Sequence, residues 1–330
     1  MLTKSLAVLL LWAHGAPAAP APESLLDLAL NPPPTFYQGR MMVTHWRGKR
    51  ARAEEVEIYH APNNRKRREF IAPDGRILRM IISDGESEQV HWLKSGKTLR
   101  GDAVKSYEKL MSPEKERELL LKNYSLSVSG PDKVAGRFAW VLEFKPLVSG
   151  KPHQQLWIDR QTGVILANKR LLPKKSFAVL SRFSRFEPRK TLDDSLFRLD
   201  AASAGAVSGH GLEPDFMSLE ELNEATGKTM RFPADLPGGF VFESADFFDI
   251  GKQVIRHLRY TDGLAVISLF QTQRPVKPPK QPDLQTGDGA GSLRLSGASR
   301  VLAWKRKKQY FTLMGDVSGE ILGNISSSLK

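Results

Sequence analysis

Apolar and polar positions alternate along most of this chain in short runs. "GRMMVTHWRG", "EEVEIYHA", "RREFIAPDG", "ILRMIISDG" and "EQVHWLKSGK" are rich in β-branched and aromatic residues and are cut by Pro, Asp and Gly. That punctuation predicts an antiparallel meander. Further on, "QQLWIDRQTGVILANKRLL" reads as a hairpin. Leu156 and Ile158 fall on one face of its first strand and Gln155, Trp157 and Asp159 on the other, because side chains alternate across a pleated strand. Asp159 to Gly163 supply the turn: Asp can close an Asx turn, and Gly accepts positive φ without steric penalty. With "FAWVLEFKP" and "SFAVLSRFSRF" the pattern predicts about eight strands. One helix interrupts them at "SPEKERELLLKNY", where Ser112 fits an N-cap, Pro113 the first helical position and Glu114 the positive end of the macrodipole. Leu119, Leu120 and Leu121 give that helix a surface to bury.

Past Leu199 the texture changes. "DAASAGAVSGHGLEPD" has small residues, glycines and no periodicity, and reads as a linker. A helix follows at "SLEELNEATG", with Ser218 and Glu221 as a capping box and Gly227 as its stop. The rest predicts a smaller α+β unit. It contains a strand near "FESADFFDI", the hairpin "IRHLRYTDGLAVISLFQTQ", a Pro-rich excursion from Pro275 to Pro282, and strands around "RVLAWKRKKQYFTLMG". In the final helix, "SGEILGNISSSLK", residues Ile321, Leu322, Ile325 and Leu329 form one apolar stripe that should pack on the second sheet.

The N-terminus changes the setting. "MLTKSLAVLLLWAHGAPAAPAP" has Lys4, an apolar run from Leu6 to Trp12, and Ala16 and Ala18 at the positions a signal peptidase reads, so cleavage is expected near Ala18/Ala19. The apolar run is too short to span a bilayer. No other segment approaches the roughly 18 apolar residues a membrane helix needs. The chain has no Cys, which removes disulfides, thiol catalysis and a lipobox anchor. Its 330 residues are enough for two domains with cores of their own.

Charge and chemistry narrow the function. Lys and Arg number 49 against 36 Asp and Glu, a net +13 that favours anionic partners. The seven histidines form no ligand pair of metal-binding spacing. No nucleophile elbow, Walker loop or dinucleotide fingerprint is present, "GDGAG" at Gly287 to Gly291 reads as a flexible loop, and the adjacent Asp193 and Asp194 fit a helix cap better than acid/base work. A binding protein without cofactor or metal is expected rather than an enzyme. Two basic clusters stand out, "NRKRR" (Asn64 to Arg68) and "WKRKKQYF" (Trp304 to Phe311). Basic residues interleaved with aromatics suit single-stranded nucleic acid, a ligand that an exported protein rarely meets. Each cluster is either a solvated, charge-protected strand or a dock for an anionic lipid headgroup or acidic peptide. In the second, Lys305, Arg306, Lys307 and Lys308 would be split between two strand faces, with Arg300 or Lys252 as possible neighbours.

The arrangement "FYQGRMMVTHWRG…RREFIAPDG…IISDGESEQVHWL", a helix, then "VAGRFAWVLEFKP…HQQLWIDRQTGVILANKRLL…FSRF" resembles the lipoprotein-carrier (LolA/LolB) half-barrel. It is most similar to the version in the periplasmic RseB/MucB regulators of an envelope-stress sigma factor, and "FPADLPGGFVFES" followed by "LRYTDGLAVISLF" is similar to their small C-terminal domain. "WKRKKQYF" and the Pro-rich loop depart from that pattern. The resemblance implies an α+β protein: a signal peptide over 1–19, a curved antiparallel half-barrel with helices over 20–199, a linker and helix over 200–228, and a small α+β domain over 229–330. It further implies an apolar groove for lipid or lipoprotein acyl chains, periplasmic location, and binding of the periplasmic segment of an anti-sigma factor. Candidates for the groove are Met42, Trp46, Trp92, Leu142, Phe144 and Ile158. A plain lipid or lipoprotein carrier is the alternative, and the second domain separates the two readings because a carrier needs only the groove.

Overall fold

The computed structural model describes residues 18–47, 50–102, 111–173, 177–199, 217–227, 232–250, 253–274, 284–286, 289–296 and 299–329. The expected leader up to residue 17, most of the expected linker and the Pro-rich excursion lie outside them.

Alternation produces two antiparallel sheets. The first contains β1 (Phe36–Arg47), β2 (Arg50–Ala61), β3 (Arg65–Ile71), β4 (Ile77–Asp84), β5 (Ser87–Trp92), β6 (Lys97–Asp102), β7 (Tyr124–Val134), β8 (Arg137–Pro146), β9 (His153–Asp159), β10 (Ile165–Leu171) and β11 (Phe177–Arg189). Their order is β6-β5-β4-β3-β2-β1-β11-β10-β9-β8-β7, so two meanders join where the first strand pairs with the last. The sheet has 11 strands rather than about eight. The surplus includes β6 and the Ser-rich β7, "YSLSVSGPDKV", which carry few of the apolar residues that mark a strand. The sheet also curls strongly: Arg182 on β11 donates to the carbonyl of Lys133 on β7, four strands away in the order, at 2.5 Å.

The β9–β10 hairpin forms as its sequence predicts. The Gly163 N–H donates to the Asp159 carbonyl at 2.9 Å, Thr162 N–H donates to the Asp159 carboxylate at 2.8 Å, and Gly163 has φ 72°. Two helices pack on the face of this sheet that carries Trp140, Leu142, Phe144, Leu156 and Ile158. One is α2 (Pro113–Asn123), whose Lys115 N–H donates to Ser112 Oγ. The other, α1 (Pro22–Leu30), buries Leu25 and Leu26. It begins on Pro22 at a first-turn position, and prolines on both sides mask its periodicity in the sequence.

The second sheet has eight strands: β12 (Asp235–Leu236), β13 (Phe240–Ile250), β14 (Gln253–Thr261), β15 (Val266–Thr272), β16 (Leu284–Thr286), β17 (Gly289–Ser296), β18 (Ser299–Arg306) and β19 (Gln309–Gly315). Gly289 to Gly291 pair with Leu284 to Thr286, so that part of the Gly-rich run is strand rather than loop. The helices α3 (Leu219–Thr226), with the expected capping box and Gly227 at φ 60°, and α4 (Gly319–Ser328) pack on it. Leu222 of α3 and Leu322 and Ile325 of α4 join Phe240, Leu258, Tyr260, Ile267, Leu269 and Leu302 in one core. The architecture is α+β throughout.

Candidate functional site

A densely bonded polar site lies where the two sheets meet. The β14–β15 hairpin turns through "TDGLA", and its Asp262 carboxylate accepts from the Leu264 and Ala265 N–H groups at 3.0 and 2.7 Å. These bonds aim the remaining carboxylate oxygen out of the turn and into the first unit. There it meets the Tyr124 hydroxyl at 2.9 Å and the Lys151 ammonium at 2.9 Å. The Lys151 ammonium also donates to Asn123 Oδ1, and Asn123 Nδ2 donates back to the Asp262 carbonyl at 3.0 Å. Burial, with the Asp262 carboxylate adding to it, pushes the Tyr124 phenol far above its ordinary range, so it stays a hydrogen-bond donor.

Apolar contacts finish the seam. Leu264 belongs to the first unit's core, alongside Leu120, Tyr124, Trp140 and Phe144. Gly263 has φ 99°, and a Cβ there would sit 3.0 Å from Leu120, so only glycine lets the turn approach α2. At the flank, Arg170 pairs with Asp316 at 3.3 Å and Ser318 N–H donates to the Gly150 carbonyl at 2.7 Å. The second unit is therefore plugged into the first by a hairpin turn, a role the sequence reading of "LRYTDGLAVISLF" does not anticipate.

The groove candidates do not share a face. Leu142 opposes Leu156 and Trp140 opposes Ile158, and these side chains, with Phe144, form the core beneath α1 and α2. Leu142 and Ile158 are fully buried. Trp157 points to the other face by alternation, and the register carries that face through Ala167 and Arg182 to Met42. Trp46, opposite Ala178, lies on it too. Trp92 opposes Arg79 and Lys97 on the far wing of the sheet. Curvature and the bulge between Ile165 and Ala167 decide these placements, and neither is written in the alternation.

On the Met42 side the structure forms an open pocket of about 380 Å³ lined by Trp46, Trp157, Lys169, Leu180 and Arg182. Its lining combines two indoles and a leucine with two cations. Trp157 is held by its indole N–H, which donates to Asp132 at 2.8 Å. That bond, with the Lys133 backbone N–H, holds the Asp132 carboxyl below the usual carboxylate range. Arg182 is held over the Trp157 ring at 6.0 Å by its bond to Lys133. Met42, 39% exposed, continues the apolar surface outside the pocket.

The basic clusters have separate fates. In "NRKRR", Arg65 pairs with Asp194, Lys66 and Arg68 with Glu88, and Arg67 with Glu69, within a strand that is paired on both sides. That cluster is structural. Asp193 caps the 3-10 turn Asp194–Phe197, as expected of a cap. In "WKRKKQYF" the four cations do not alternate along a strand. Arg306 opposes Gln309, so Lys307 and Lys308 form the turn of the β18–β19 hairpin, with Lys307 at φ 52°. Arg306 donates to the Leu329 carbonyl past the end of α4, and Lys305 lies over the Tyr310 ring at 5.5 Å. Lys307 and Lys308 are exposed at the tip. Arg300 stands at the opposite end of β18, and Lys252 lies outside the described residues.

A row unforeseen in the sequence crosses the second sheet: His257 lies 2.9 Å from Asp246 on one side and 2.9 Å from Ser268 on the other, with Phe270 stacked on its ring. Both flanking partners of β14 are strands, so the backbone N–H groups around the row are committed to the ladder.

Residues 34–189 match the MucB/RseB N-terminal domain family. Among solved structures, the chain is similar to MucB in complex with MucA(peri), at 18% identity and a TM-score of 0.55 over 94% of this chain and 96% of that one. It is also similar to a chain of the Pseudomonas aeruginosa MucA/MucB complex (18%, 0.54, 93% and 96%) and to MucB alone (18%, 0.51, 92% and 94%). No curated protein sequence matches the chain. At this identity the structural likeness establishes a shared fold across both units.

Proposed function

We propose, from the premise that residues 34–189 are a MucB/RseB N-terminal domain, that this chain is an exported binding protein that clamps the periplasmic segment of an anti-sigma factor. The observation that carries this reading is the seam. A carrier of lipid or lipoprotein needs only a groove, yet here a second unit is locked into the first by a buried ion pair and an inserted leucine. The likeness to MucB in complex with MucA(peri) extends over 94% of the chain, and so over that two-unit arrangement.

The open pocket supports the finer part of the proposal, the sensing of lipid or lipoprotein. The apolar part of its lining suits an acyl chain, and Lys169 and Arg182 beside it suit an anionic headgroup. The exposed Lys307 and Lys308 tip suits an acidic partner segment, because like a rim charge elsewhere it would raise the association rate more than the affinity. Anti-sigma binding and acyl binding would then be coupled through the seam. The test is displacement: an anti-sigma segment bound to the mature chain is titrated with a fluorescent acyl phosphate. Release that disappears in Trp46→Asp/Leu180→Asp supports the coupled reading. Acyl binding without any anti-sigma complex leaves the plain carrier.

A further inference from the structure

One end of the first sheet carries chemistry that neither the seam nor the pocket uses. Because the strands run β6-β5-β4-β3-β2-β1, the β1–β2, β3–β4 and β5–β6 pairs all close at the same end of the sheet. At about 4.8 Å per strand, the first and last of these pairs lie about 19 Å apart along the sheet. The described cations there are Arg50 and Arg52 on the first hairpin, Arg76 and Arg79 on the second, and Lys94 and Lys97 on the third. Two carboxylates answer them: Asp74 binds Arg76 at 2.6 Å, and Glu54 lies 3.0 Å from Arg52 and 3.9 Å from Arg79. Six cations face two anions.

Two leucines stand among these charges. Leu78 and Leu93 are neighbours across β4 and the end of β5, where the Leu93 N–H donates to the Leu78 carbonyl at 3.2 Å. They are 50% and 41% exposed, on a sheet whose other large apolar side chains are mostly packed. An acidic peptide would answer the cations but would leave the two exposed leucines without an apolar partner. A plane of anionic headgroups over hydrocarbon answers both features, since it takes cations spread over tens of ångströms and admits projecting leucines. We infer that this end of the first sheet is a docking surface for an anionic lipid bilayer, with Lys94, Lys97, Arg76 and Arg50 at the headgroups and Leu78 and Leu93 below them.

The surface is separate from the pocket, and the test keeps them apart. The mature chain is sedimented with vesicles of phosphatidylglycerol and phosphatidylcholine in about equal parts, and with pure phosphatidylcholine. Each basic residue near an anionic surface is worth about fivefold in affinity. Lys94→Glu/Lys97→Glu is therefore expected to weaken binding to the anionic vesicles at least tenfold, and Leu78→Asp/Leu93→Asp to do the same, with melting temperatures unchanged because all four side chains are exposed. Trp46→Ala, a pocket change, should leave vesicle binding as it is. Raising salt from about 0.1 to 1 M, which shortens the Debye length from about 10 to 3 Å, should release the parent. Equal binding to both vesicle types, or parental binding by both double variants, overturns the inference. So does capture of soluble polyglutamate through Lys94 and Lys97 with no vesicle binding, which would make the surface a protein dock.

Discussion

The Lys151 ammonium lies 2.9 Å from the Asp262 carboxylate in a seam where neither side chain reaches solvent. Breaking a buried pair by removing one partner strands the other charge, at a cost of about 3–5 kcal/mol, whereas replacing both with apolar groups is often neutral. Lys151→Met and Asp262→Asn are each expected to lower the unfolding free energy by an amount in that range, and Lys151→Met/Asp262→Leu to recover only part of it, because the Leu264 and Ala265 N–H groups and the Tyr124 hydroxyl lose their acceptor. Urea unfolding of the three variants measures this; single variants as stable as the parent would count against the seam.

Leu264 extends the argument to cooperativity. It is 8% exposed and packs in the core of the unit to which it does not belong by sequence. Leu264→Ala should cost about 2–3 kcal/mol, toward the low end for a core leucine because the site borders the seam. Calorimetry should show one transition for the parent and two for Leu264→Asp. A single transition in Leu264→Asp would mean that the units are coupled elsewhere.

The groove and the core can be told apart by substitution. Leu142 has no exposed surface and lies under α1 and α2, so a charge there unfolds the first unit rather than emptying a binding site. Circular dichroism of Leu142→Glu is expected to show lost structure. Leu180→Asp, at the open pocket, should keep a native spectrum while acyl-chain binding, followed by a fluorescent fatty acid, drops at least tenfold.

His60 gives a pH signature. Its ring stacks on Tyr37 at a centroid distance of 4.6 Å and its Nδ1 lies 3.0 Å from the Thr35 carbonyl. Burial pulls its pKa below 6.5; the Thr35 carbonyl opposes this and Lys66 adds to it. A depressed histidine pKa means the unfolded chain takes up the proton first. The stability it contributes is thus complete above about pH 6.5 and declines as pH falls below that value. Melting temperatures from about pH 7.5 to 5 should fall less steeply in His60→Gln than in the parent. Parallel profiles would exclude His60 as a source.

Local chemistry made much of this fold legible. Ser112, the Ser218/Glu221 box, the Asp159–Gly163 turn and the apolar stripe of the last helix each depend on neighbours within a few residues, and each appears as read. β7 was not legible, because its serines hide the alternation, and α1 was concealed between prolines that read as part of the leader. The division of the groove candidates between two faces was hidden for a longer-range reason. Met42 and Leu142 are equally apolar and equally alternating, but a bulge in β10 and the curl of the sheet put one on the open face and the other under two helices. The Lys305 to Lys308 run failed for a short-range one: two of its members are a turn, and a turn has no faces to divide.

The central claim is that both units together hold an anti-sigma segment, and one titration tests it. The mature chain, and the same chain carrying Lys151→Met/Leu264→Asp, are each titrated calorimetrically with the periplasmic segment of the anti-sigma factor from the same organism. A saturable complex with the parent, weakened at least tenfold when the seam is broken while the first unit remains folded, is the predicted result. Absence of any complex with the parent, under conditions where both components are folded, would contradict the account.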